Sequence, residues 1–138
     1  MRPVLHLAFG TGVDEPIDHA ALAELATAML DAGVDGLVVL GLASEARALR
    51  EPERDEVLAT VARAAAGRAP IVVGLEGTTA VAVARATAAA AGGASGLMVL
   101  PPAAARTTEL LVGHFTAIAE ARACPSSSRT RHRSRASA

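Results

Sequence analysis

Short apolar runs without polar alternation recur along this chain. Ala32-Gly33-Val34-Asp35-Gly36-Leu37-Val38-Val39-Leu40-Gly41 resembles Gly92-Gly93-Ala94-Ser95-Gly96-Leu97-Met98-Val99-Leu100-Pro101, and the two are offset by 60 residues. Arg68-Ala69-Pro70-Ile71-Val72-Val73-Gly74 lies between them with the same shape. Each is a helix end, a Gly or Pro break and then a continuous apolar run. Runs of this kind suit strands buried on both faces, as in parallel sheets. A further run at residues 4–8 supplies a first strand.

Helical spacing fills the gaps. Ile17, Leu22, Leu25, Met29 and Leu30 recur at three-and-four intervals, with Asp18 placed as N-cap and Gly33 as the stop. Pro52 suits the first turn of a second helix, where Glu53 meets the positive end of the dipole and Val57, Leu58 and Val61 turn inward. Residues 79–91 form a third helix, rich in Ala. Thr107 or Thr108 caps a fourth, with Leu111, Phe115 and Ile118 on one face. The order is strand–helix four times over, which implies parallel strands joined by crossovers. The pattern alone leaves open half of an eight-fold barrel or a small doubly wound sheet.

In either architecture chemistry gathers at the C-terminal ends of the strands. Those ends read Phe9-Gly10-Thr11-Gly12, Gly41-Leu42-Ala43-Ser44-Glu45, Gly74-Leu75-Glu76-Gly77-Thr78-Thr79 and Pro101-Pro102-Ala103-Ala104. Gly-rich turns before a helix can hold a carboxylate or phosphate on backbone N–H groups, although such turns need Gly for structure alone.

Composition narrows the chemistry. The chain has 138 residues, enough for one domain with a core but too short for a complete barrel of about 250. All 13 basic residues are Arg, and Lys, Tyr and Trp are absent, so no lysine amine or phenol can act here. Cys124 is the only thiol, which excludes an internal disulfide and suits a reducing, cytoplasmic setting. The N-terminal stretch has no signal-peptide pattern, and the uncharged run at 86–105 is broken by Gly92-Gly93 and Pro101-Pro102. His6, His19 and His114 lie in no ligand pattern, so neither a protein-bound metal nor a cofactor is expected. A formal charge of −1 speaks against a nucleic-acid or membrane binder.

The motifs together carry more than each alone. A strand ending Gly36-Leu37-Val38-Val39-Leu40-Gly41, then Glu45, Leu49 and a helix opening with Glu53-Arg54, resembles the dihydrodipicolinate synthase and N-acetylneuraminate lyase family of Schiff-base class I aldolases. Ile17-Asp18, Pro70-Ile71-Val72-Val73-Gly74, Pro101-Pro102 and His114-Phe115-Thr116-Ala117-Ile118-Ala119 follow in the family's order, from residue 4 to about 121. The resemblance implies an α/β fold, the first half, (βα)4, of a TIM (β/α)8 barrel. It also implies a carbon–carbon lyase acting on a small 2-keto acid such as pyruvate.

Departures from the family's pattern limit that implication. The usual Gly-Thr-Thr-Gly-Glu is Gly41-Leu42-Ala43-Ser44-Glu45 here, which leaves the amides of Ala43 and Ser44 and the Ser44 hydroxyl to hold the substrate carboxylate. In the family Glu45 supports the loop, and Glu76 reads as a loop stabiliser. Ala103 and Ala104 stand where the family has a proton-relaying Tyr, and the family's imine-forming Lys on the sixth strand has no counterpart. No catalytic residue is therefore assigned, and this chain alone is expected to be inactive. Open sheet edges imply self-association, with a non-catalytic half-barrel or assembly module as the alternative role.

The chain changes character near residue 121. Residues 1–121 carry a net −6 and residues 122–138 a net +5 with almost no large apolar residue, which predicts a partial-barrel domain followed by a disordered Arg/Ser-rich tail. Read one base out of register, the segment from Cys124 to Thr130 permits Val-Pro-Val-Val-Val-Gln-Asp, similar to the family's fifth strand. The tail is thus expected to be out of frame.

Overall fold

The computed structural model describes residues 17–44 and 46–123. The strand expected at 4–8, the first strand-end loop, Glu45 and the tail from 124 onward lie outside the described residues. Helix α1 (His19–Asp31) is followed by strand β1 (Leu37–Val39), helix α2 (Glu51–Ala65), β2 (Ile71–Leu75), α3 (Thr79–Ala91), β3 (Gly96–Val99) and α4 (Thr108–Ala123). The sheet is parallel in the order β1-β2-β3.

Local chemistry sets the helix ends. Asp18 caps α1, its side chain accepting from the Ala21 N–H at 2.9 Å, and Gly33 ends the helix at φ +84°. Glu53 folds back on the Arg50 N–H at 2.7 Å to cap α2, with Pro52 in the first turn where no donor is lost. Thr107 caps α4, its hydroxyl accepting from the Leu110 N–H at 3.3 Å. The fourth helix runs through Ala123, so Arg122 and Ala123 are helical and the Arg122 guanidinium donates to the Ser95 carbonyl at the start of β3.

The core lies between the sheet and its helices. Register pairs Leu37 with Ile71, Val39 with Val73 and Leu75 with Val99, and these side chains form the face toward the helix layer. Val57, Leu58 and Val61 of α2 meet it, as do Ala82, Ala86 and Ala89 of α3, all buried. Alanine at those three positions suits a close approach of α3 to the sheet.

Three inward expectations shift. The strands are not buried on both faces: Val38, Val72 and Gly96 are half-buried and Met98 is 47% exposed, because no described element covers that side. In α1 the buried line is Leu22, Ala26 and Leu30, while Leu25 turns outward. In α4 the residues facing inward are His114 and Ile118, and Phe115 is 42% exposed. An imidazole displaces a phenyl ring there because Thr79 on α3 supplies a hydrogen-bond partner, 2.9 Å from His114 Nδ1.

Candidate active-site face

The strand ends converge on one face of the sheet. After β1, Leu40 adopts φ +56°, and two short 3-10 turns, Leu42–Ser44 and Ala46–Ala48, lead into α2. After β2, Gly77 takes φ +121° ahead of α3. After β3 the chain passes through Leu100 to Pro101-Pro102. Gly74 lets the first two ends close: a Cβ there would lie 2.2 Å from the Leu40 carbonyl oxygen and 2.8 Å from Gly41 Cα. Between the loops opens a cleft of about 190 Å³, with Gly41, Gly74 and Met98 in its wall and Leu42, Arg47, Glu76 and Leu100 around it.

Charge at the rim is paired. The Glu76 carboxylate accepts from Arg47 Nε at 2.9 and 2.8 Å, and its backbone carbonyl accepts from Arg85 at 2.7 Å. Arg85 also grips Glu51, the shortest contact being 2.6 Å. The hydrogen bond from Arg47 holds the Glu76 carboxyl below the usual carboxylate range, and Arg85 does the same for Glu51. Both are therefore acceptors for neighbouring guanidiniums, which leaves neither in the role of a free general base.

Beneath this rim lies Arg54, 4% exposed, donating to the Ala46 carbonyl. Its Nε is buried with no hydrogen-bond partner among the described residues, 4.0 Å from Glu51 Oε1. Burial pushes the Arg54 guanidinium pKa down, and the positive charge of Arg85 pushes the same way. The sequence marked Arg54 only as part of the helix-opening motif and not as buried, although a signal existed: Arg54 sits in phase with Val57, Leu58 and Val61 on the inward face of α2.

The predicted binding residues fall at the edge of the cleft. Ala43 and Ser44 occupy the first 3-10 turn, flanked by the lining residues Leu42 and Ala46. Ser44 is buried, its hydroxyl donating to the Gly41 carbonyl at 2.5 Å and its N–H to the same oxygen at 3.0 Å. In this arrangement the Ser44 donors are turned into the loop rather than into the cleft. Among the described residues no group of three or more His, Cys, Asp and Glu side chains could hold a metal ion, and no helix is long and apolar enough to cross a membrane.

Parallel strands with helices on one side and a cleft at their C-terminal ends make an α/β unit of the kind from which (β/α) barrels are built. The sequence profile of the dihydrodipicolinate synthetase family matches residues 9–126. The chain belongs to that family. The 4-hydroxy-tetrahydrodipicolinate synthases of Mycolicibacterium paratuberculosis and Mycolicibacterium gilvum are 41% and 43% identical to it, each over 115 residues. Each match covers 81% of this chain and 38% of the relative. Among solved structures, dihydrodipicolinate synthase from Bacillus clausii superposes with a TM-score of 0.77 at 28% identity, covering 88% of this chain and 41% of that one. A dihydrodipicolinate synthetase structure from Pseudomonas aeruginosa gives 0.75 at 33% identity, covering 86% and 41%. The chain thus corresponds to the first half of the family's barrel and spans about two-fifths of its relatives' length.

Proposed function

We propose that this chain supplies the carboxylate-binding half of a lyase site for a 2-keto acid such as pyruvate, in a family whose chemistry runs through a lysine Schiff base. The observation that carries the reading is the cleft at the strand C-termini, rimmed by the turn that carries Ala43 and Ser44. A backbone amide such as that of Ala43 can hold a carboxylate, and the Ser44 N–H and hydroxyl would add donors once turned away from the Gly41 carbonyl they now share. No lysine exists among the 138 residues, so the imine cannot form on a side chain of this chain, and by itself it turns nothing over.

Two measurements on the full chain test this. Titration with pyruvate, followed by amide NMR, should shift the Ala43 and Ser44 resonances; unchanged resonances at saturating pyruvate overturn the binding role. Pyruvate with borohydride should add mass only at the N-terminal amine, and steady turnover of a 2-keto acid would overturn the assignment of inactivity.

The exposed side of the sheet supports a second role as a non-catalytic assembly module. Strand β3 has β2 as its one partner among the described residues, and Met98 and Leu100 stand exposed beside it. Such an edge favours association with a second copy.

A further inference from the structure

Arg54 presents a buried donor that no described residue satisfies. Its side chain is 5% exposed, yet Nε has no hydrogen-bond partner among the described residues. A buried, unpaired guanidinium N–H costs free energy, so such groups are normally met by protein or by ordered solvent. Against it lies a cavity of about 30 Å³, lined by Arg54, Glu51, Asp55 and Arg85 on the polar side and by Leu58 and Val73 on the apolar side. That volume exceeds the roughly 10–15 Å³ that one water needs.

We infer that this cavity is a binding site for a single ordered water, which accepts from Arg54 Nε and donates to Glu51. The two groups stand 4.0 Å apart, too far for a direct hydrogen bond and within the span of one bridging oxygen. The charge of the lining selects the guest. Two carboxylates, Glu51 and Asp55, balance two guanidiniums, Arg54 and Arg85, so the site favours a neutral molecule over an anion or a cation. The water makes Arg54 a two-ended strut. One end holds the Ala46 carbonyl of the strand-end turn, and the other reaches the Glu51–Arg85 pair that joins α2 to α3. This inference stands apart from the proposed 2-keto acid role.

A crystal structure of the full chain at about 1.5 Å resolution tests it, with a second crystal soaked in sodium bromide. The expected result is one density peak within about 3.2 Å of both Arg54 Nε and a Glu51 oxygen, carrying no bromide anomalous signal. A Glu51→Ala variant, altered at an exposed position on the first turn of α2, should lose that peak while the fold persists. Bromide in the cavity, a dry cavity, or Glu51 closed directly onto Nε would each overturn the water site. So would a peak that survives Glu51→Ala at full occupancy.

Discussion

Single positions carry the close approach of the first two strand ends. A Cβ at Gly74 would overlap backbone atoms of Leu40 and Gly41, which cannot move without separating β1 from β2. Gly74→Ala should therefore cost about 3 kcal/mol, the upper end of overpacking, read as a fall in the thermal midpoint by circular dichroism. Gly113 makes the opposite case. It lies within α4 with nothing within 4 Å of its would-be Cβ, so Gly113→Ala should stabilise the protein by about 1 kcal/mol in the same assay. A Gly74→Ala protein as stable as its parent would show that the strand ends do not meet this closely. The apolar run around Gly74 was legible in the sequence; the distance that demands glycine there was not, since it depends on another strand.

At the scale of elements, ion pairs join the loops at the cleft. Glu76 ties the end of β2 to Arg47 before α2, and Glu51 ties α2 to Arg85 of α3. Both carboxyls have folded-state pKa values lowered by these guanidiniums. Their contribution is present above the unfolded carboxylate value of about 4.3 and is lost as pH falls through the lower folded value. Stability should accordingly be level from neutral pH to about 5 and decline below about 4. Glu76→Gln should remove part of that decline and cost about 0.5 kcal/mol at pH 7, because the pair is partly solvated. Chemical denaturation at pH 3.5 and 7 measures both, and a Glu76→Gln protein with unchanged acid sensitivity would refute the assignment. Helix existence and the Asp18 cap were readable from the sequence, as was Pro52 in the first turn of α2, because such signals are local; that Glu53 folds back on the Arg50 N–H was not. The exchange of Phe115 for His114 on the inner face was not, because Thr79 lies on another helix.

For the whole molecule, the described sheet has helices on one side and an open apolar side on the other. Val38, Val72 and Met98 face away from the helices, and β3 offers a strand edge. The 138-residue chain should self-associate with rising concentration. Met98→Lys should weaken that association while changing stability by less than about 0.5 kcal/mol, as expected for an exposed position. Sedimentation velocity across a hundredfold concentration range decides it, and a monomer throughout would refute the prediction.

What the sequence determined by itself was the order of elements from α1 to α4, the parallel sheet and the family. Continuous apolar runs, Gly and Pro breaks and cap residues all act within a few positions of each other, so their meaning survives without coordinates. The absence of Lys and Tyr likewise bounded the chemistry before any fold was drawn. Only the tertiary structure decided that Ser44 spends its hydroxyl on Gly41, that Arg47 and Glu76 close over the cleft, and that Arg54 lies buried beneath them. Each depends on which groups from distant segments come within hydrogen-bond reach, and that distance is set by packing rather than by any local pattern.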